Sequence, residues 1–244
     1  MQKRLAILVL SLFVIVLFAF IILRSASLGP EDNYFNARLR PVLASWPFSR
    51  KILALHYDGD ARSDFLGKRY AGIQLEIDVM SGEELPQQGL DQAVKAIETV
   101  TGKPVSVRYS DNRIPYQGAL TDAGVAGLAK ANRYAHDPDS AFLYLLLASS
   151  RDSEVSNIGE TQGEDGIIIF MDSLKSFLSR NPDLLPAYFS STMLHEFGHQ
   201  LGLPHNSEPG CLMNPEVEGG ASWETPADVI NYFCPYELRQ LGKS

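Results

Sequence analysis

The chain has few of the residues that usually carry metal chemistry, holding five histidines and two cysteines in 244 positions. The two cysteines, Cys211 and Cys234, have no second pair nearby, which argues against a metal site built from thiolates alone. Positive charge is also scarce. The net charge of −8 argues against a nucleic-acid partner, and no basic patch interleaved with aromatics offsets it. An acidic surface weakly favours cationic substrates and mainly keeps a protein soluble. Internal repeats and low-complexity tracts are absent, which excludes a solenoid or fibrous architecture. What is present, at 45% hydrophobic composition, suffices for one sizeable core, or for one domain plus an anchor.

Three of the five histidines fall in one short run, His195-Glu196-Phe197-Gly198-His199-Gln200-Leu201-Gly202-Leu203-Pro204-His205. On a helix, His195 and His199 stand four residues apart and project from one face, where both imidazoles can reach one metal ion. Gly202 sits where the helix must stop, because glycine enters the left-handed conformation without a Cβ penalty. The chain can then turn and bring His205 round as a third ligand. Three neutral imidazoles with one open position are the donor set of a catalytic zinc rather than a structural one. Glu196, beside the first ligand, can stay off the metal and act as a proton acceptor.

At the other end, Leu5 to Leu23 is an apolar run whose only polar member is Ser11. As a helix it would be about 28 Å long, close to the thickness of a bilayer's hydrocarbon core. Lys3 and Arg4 precede it, so the amino terminus should stay cytoplasmic and the remainder be translocated. The expected division is therefore an anchor over 1–24, a juxtamembrane linker over 25–50 and a catalytic domain over 51–244. A cleaved signal peptide, giving a secreted protein, is the competing reading, with Ser25-Ala26-Ser27 as a weak cleavage site. In either case the catalytic part lies outside the cytoplasm, in the periplasm or the extracellular space. An oxidising compartment would pair Cys211 with Cys234, the alternative being two buried thiols.

Between these ends, Ile52–Tyr57 reads as a strand and Ile73–Val79 as a half-exposed one, alternating apolar and polar residues. Leu90, Val94, Ile97 and Val100 have helical spacing and run up to Gly102, a natural stop. Val105–Tyr109 is strand-like, and Thr121–Tyr134 is a helix with its cap at Thr121 or Asp122. Ala141–Ala148 is too uniformly apolar to be exposed on either face and suits a central strand. Gly166–Met171 is a further strand after a loop containing Gly159 and Gly163, and Leu184–Leu201 is the metal-binding helix.

The run from His195 continues into Leu212-Met213-Asn214-Pro215, with Met213 eight residues past His205. This pattern resembles the metzincin clan of zinc endopeptidases, and His195–Pro215 is most similar to the matrixin form. The resemblance implies one catalytic zinc held by His195, His199 and His205, Glu196 as general base, and Met213 as an apolar floor beneath the metal. It also implies an α+β fold, in which a mixed, twisted sheet carries an antiparallel edge strand. An active-site helix and a small irregular C-terminal subdomain complete it. Substrate would pair with the edge strand, whose position Gly166-Ile167-Ile168-Ile169-Phe170 occupies; a purely structural strand is the alternative. The additional zinc and calcium sites of matrixins lack ligands here, since only His56 and His136 remain. The tail Phe233–Leu238 is similar to archaemetzincins, which carry a four-cysteine zinc site in this region. Asn206 and Glu237 stand where two of those cysteines would be, so a Cys211–Cys234 disulfide would replace that second metal.

The expected activity is hydrolysis of peptide or protein substrates by an anchored endopeptidase. Two other readings share the ligand set: a zinc-binding regulatory module without turnover, and a non-peptide amidohydrolase. Asn214–Trp223 is the expected wall of the specificity pocket, and Tyr232 or Tyr236 a candidate oxyanion donor. Oligomeric state has no signature in the chain.

Overall fold

The computed structural model describes residues 2–27, 34–35, 39, 43, 48–49, 52, 61–68, 70–110, 113–116, 118–132, 139–152, 157–163, 166–215 and 225–243. Residues 53–57 of the strand expected at Ile52–Tyr57 lie outside them, as do His136 and residues 216–223 of the expected pocket wall. His56 falls within that first gap. The chain forms two compact units, Met1–Asp58 and Gly59–Ser244.

The first unit contains helix α1 (Gln2–Ser27), about 39 Å long at 1.5 Å per residue. Its backbone is helical from residue 2 to the end of the expected anchor, and Phe13, Ile15, Phe18 and Ile22 are exposed along it. The side chains of residues 2–10 lie outside the described set. Among the described residues no helix is long and apolar enough to cross a membrane.

The second unit is a mixed α/β fold. In chain order it contains α2 (Arg62–Leu66), β1 (Gly72–Val79), α3 (Gln87–Thr101), β2 (Val105–Tyr109), β3 (Ala119–Leu120) and α4 (Asp122–Asn132). There follow β4 (Ser140–Ala148), β5 (Ser150–Arg151), β6 (Gly159–Gln162), β7 (Gly166–Phe170), α5 (Met171–Phe177), α6 (Leu185–Gln200) and α7 (Pro235–Gln240). Five strands form the main sheet in the order β2-β1-β4-β7-β6. The first four run parallel, and β6 alone runs antiparallel, against β7.

The apolar run of β4 occupies the middle of this sheet, as its composition suggested. Leu143, Leu145 and Leu147 join the cluster that includes Ile97, Phe189 and Phe197 of α3 and α6. Tyr144, Leu146 and Ala148 pack on the opposite face with Leu128 of α4. Strand β1 departs from expectation. Its alternating Gln74, Glu76 and Asp78 are buried rather than solvated. The reason is tertiary: parallel strands need crossover connections, which cover both faces of the sheet. Asp78 is accommodated by Tyr144, whose hydroxyl donates to Oδ2 at 2.7 Å.

Helix α3 ends at Gly102 as expected, and the Thr121 hydroxyl caps α4 by accepting from the Gly124 N–H at 3.2 Å. The edge-strand assignment of Gly166–Phe170 is corrected. Those five residues form β7, fully buried and paired on both sides, parallel to β4 and antiparallel to β6. A run of three isoleucines and a phenylalanine can be covered on both faces at little cost, which suits an interior strand. Among the described residues the edge of the sheet belongs instead to the segment Gly-Glu-Thr-Gln of β6, expected as part of a loop.

Candidate metal centre

Helix α6 supplies the first two histidines and is buried along nearly its whole length. Pro186 near its start fits the first turn, where the missing N–H would have had no intrahelical partner. At its end, Gly202 adopts φ 74°. The Gly202 N–H donates to the His199 carbonyl at 2.8 Å and the Leu203 N–H to Gly198 at 2.9 Å. This left-handed stop reverses the chain within three residues, and Arg62 secures it by donating from Nε to the Leu201 carbonyl at 2.7 Å. The turn delivers His205 to its two predecessors.

The ring nitrogens then converge. Nε2 of His205 lies 3.0 Å from Nε2 of His195 and 3.2 Å from Nε2 of His199. Each helix histidine donates its other nitrogen to a carbonyl: His195 Nδ1 to Leu212 at 2.8 Å, His199 Nδ1 to Leu203 at 2.9 Å. These bonds set the tautomer and leave both Nε2 atoms as lone-pair donors. A neutral His205 could offer a proton to one of them, and the other lone pair would still be opposed. One divalent cation resolves all three. Nitrogens around a tetrahedral zinc at about 2.0–2.1 Å stand roughly 3.3 Å apart, near the separations found here. Burial, opposed in part by the Leu212 hydrogen bond, lowers the pKa of His195 to about 4. It is therefore a neutral imidazole at any physiological pH, the form that binds metal. His195 is buried, His199 partly so and His205 exposed, so the centre opens to solvent on the His205 side.

Glu196 is 4% exposed and its Oε2 accepts a hydrogen bond from the Thr161 hydroxyl of β6 at 2.8 Å. The convergent ring nitrogens come from the three histidines, and Glu196 stays beside them. Met213 is buried beneath the helix. A Cβ added at Gly198 would stand 2.3 Å from its sulfur, so only glycine lets the thioether approach this closely. Gly198 has no role legible in the histidine spacing. A glycine in a helix interior, costing about 1 kcal/mol relative to alanine, was the available sign of a packing role.

Behind Met213 lies the second cluster. Cys211 and Cys234 form a disulfide. Bonded to each other, the two sulfurs cannot serve as thiolate ligands. The buried Glu237 carboxylate accepts from the Met213 N–H at 2.6 Å and the Asn206 amide at 3.2 Å through Oε1, and from the Cys234 N–H at 2.9 Å through Oε2. Asn206 and Glu237 are thus joined directly by one hydrogen bond. Closing a loop of this length contributes about 3 kcal/mol in the chain-entropy account of disulfides.

Tyr232 does not join the histidines. It lines a cavity of about 560 Å³ with Lys95, Val100, Phe233 and Lys243, on the α3 side of the tail. Gln200, which sequence analysis left without a role, donates to the Gly166 carbonyl at 2.8 Å and ties the β6–β7 turn to the end of α6.

With this geometry in view, the chain can be compared with known proteins. The model of peptidase family M54 matches residues 155–228, from β6 through the histidine run and past Met213. This match supports a zinc metallopeptidase. It is the M54 pattern that is found, and the matrixin form gains no separate support. Among solved structures, the archaemetzincin of Methanopyrus kandleri is similar at 17% identity and a TM-score of 0.50, covering 71% of this chain and 96% of that one. At that identity the likeness shows the fold alone. The archaemetzincin of Archaeoglobus fulgidus, solved with malonate, aligns at 14% identity and a TM-score of 0.42, over 68% of this chain and 99% of that one. No curated protein matches.

Proposed function

We propose that this protein is a zinc-dependent endopeptidase with a single catalytic metal, acting outside the cytoplasm while held at a membrane. The observation that carries the peptidase reading is the convergence of three imidazole Nε2 atoms beside a buried, hydrogen-bonded glutamate that is not a ligand. His195, His199 and His205 would hold the zinc. When bound there, zinc lowers the pKa of a coordinated water to about 7 and polarises a carbonyl. Glu196 accepts the proton of the attacking water and passes it to the leaving amine, a role worth about 10²–10⁴ in rate.

Substrate orientation falls to β6 rather than β7. The Phe170 N–H donates to the Ile158 carbonyl at 2.9 Å, which fixes the alternation of the antiparallel ladder. Glu160 and Gln162 therefore bond to β7, while the main-chain N–H and C=O of Gly159 and Thr161 face the open edge. An extended peptide adding there would run alongside the metal centre. This requirement favours a peptide over a non-peptide amide substrate. Retention of Glu196 with its Thr161 partner weighs against a module without turnover.

A quenched-fluorescence peptide library tests the reading. The expected result is cleavage within at least one peptide, abolished by a chelator and restored by about one equivalent of zinc. Cleavage that survives full metal removal, or no hydrolysis of any peptide by zinc-loaded protein, would sink it.

Anchoring rests on the apolar Leu5–Leu23 segment, its flanking Lys3 and Arg4, and the exposed Phe13, Ile15, Phe18 and Ile22 of α1. Full-length protein should stay with membranes through alkaline carbonate extraction, and a chain lacking residues 1–27 should be released. Release of the full-length chain would leave the secreted form as the reading.

A further inference from the structure

The hydrogen bond from β6 to Glu196 has a consequence for how the site is assembled. Thr161 meets the helix through its side chain and the solvent edge through its backbone. Its hydroxyl lies 2.8 Å from Glu196 Oε2 and 3.2 Å from the Glu196 carbonyl oxygen, so one short side chain engages both ends of the glutamate. Two residues earlier on the same face, a Cβ at Gly159 would stand 2.7 Å from Thr192 Cγ2 and 2.9 Å from Glu196 Oε1. The glycine brings β6 close enough to α6 for the threonine to reach. The turn beyond β6 is held to the same helix by Gln200. The main-chain groups of Thr161, by the ladder alternation above, face outward to the position an added strand would take.

We propose that Thr161 is the positioning residue of Glu196, and that it couples occupancy of the β6 edge to the orientation of the general base. This rests on the peptidase reading. A carboxylate bonded at one oxygen by a fixed donor has lost rotational freedom about its last torsion, so the general base is aimed before the substrate arrives. A peptide that pairs with the Thr161 backbone further restrains the strand from which that donor extends. The substrate's register and the direction of the carboxylate are thereby set by a single residue.

The test compares Thr161→Val, which keeps the shape and strand propensity and removes the hydroxyl, with Thr161→Ser, which keeps the hydroxyl. Full-length, zinc-loaded proteins are assayed with the best library peptide. Thr161→Val should lower kcat about 10- to 100-fold, the range typical of residues that orient a catalytic group, with KM changed less than about threefold. Thr161→Ser should keep kcat within about threefold of the parent protein. Zinc stoichiometry should be unchanged in both. If Thr161→Val does not fold, the Thr161→Ser and Thr161→Ala pair, differing by one oxygen, must give the same contrast in kcat. A crystal structure of the zinc-loaded variant lacking the hydroxyl provides a readout independent of turnover, and should find the Glu196 carboxylate rotated from its parent position. Kcat within twofold of the parent, an effect confined to KM, or a serine variant as impaired as the valine one would overturn the proposal. An unmoved carboxylate would do so even if the parent protein cleaves no peptide. A parent inactive on every peptide, with Glu196 still displaced by loss of the hydroxyl, would refute the peptidase reading and leave the positioning role standing.

Discussion

Glu196→Ala is expected to bind zinc as tightly as the parent protein and to lose about 10²- to 10⁴-fold in kcat on any peptide the parent cleaves. The separation of the two effects follows from the geometry. The three Nε2 donors converge independently of the glutamate, and their tautomers are held by the Leu212 and Leu203 carbonyls, which the substitution does not touch. What disappears is the buried carboxylate beside them and the acceptor of the Thr161 hydroxyl. Metal content by elemental analysis and kcat by peptide assay check the two halves separately. Retention of more than about a tenth of parental kcat would remove Glu196 from its role as general base. Loss of zinc together with activity would mean that the carboxylate takes part in holding the metal.

The second large effect concerns Glu237. Glu237→Ala should lower unfolding free energy by about 3–5 kcal/mol, measured from denaturant midpoints. The carboxylate is fully buried and serves three donors: the Met213 N–H, the Cys234 N–H and the Asn206 amide. Removing the acceptor strands the two buried N–H groups away from water, at about 1–3 kcal/mol each, and leaves the half-buried Asn206 amide without this partner, effects incompletely additive because they share one site. Glu237 also stands at the third position of α7 and reaches back to the N–H of its cap residue, Cys234, so the start of that helix loosens as well. Glu237→Gln retains the shape and one good acceptor and should cost less than half as much. The two losses matter to the site because the Met213 main chain is held at one side by Glu237 and at the other by its carbonyl, which accepts from the Asn206 N–H at 2.9 Å. An alanine variant within 1 kcal/mol of the parent would show that the disulfide alone supports this turn.

Both predictions depend on a division of labour that differs from a site held by a second metal. Here the segment beneath the histidines is tied by one covalent bond between Cys211 and Cys234 and by one buried carboxylate. A disulfide persists in an oxidising compartment, which agrees with the extracytoplasmic placement proposed from the amino-terminal segment.

The chemistry of the centre was legible in the amino-acid sequence because it is local. The four-residue spacing of His195 and His199, the stop at Gly202 and the return of His205 lie within eleven consecutive residues, and helix geometry alone predicts their convergence. The central position of β4 was equally readable from its unbroken apolar run. The partners of these residues were not legible, because they come from distant parts of the chain. Whether Gly166–Phe170 forms an edge depends on which strand pairs beyond it, and the four polar residues of β6 carry no periodicity strong enough to announce a strand. The burial of Gln74, Glu76 and Asp78 likewise follows from crossovers over both faces, not from β1 itself. Gly198 is required by a sulfur fifteen residues away, and Thr161 reaches Glu196 only because Gly159 lets β6 lie against α6. The sequence by itself determined the three candidate ligands, the candidate base beside them and the helix that presents them. Only the tertiary structure decided which donor meets Glu196, which strand lies at the end of the sheet and what packs around Met213, since each of these is a contact between segments that no local pattern encodes.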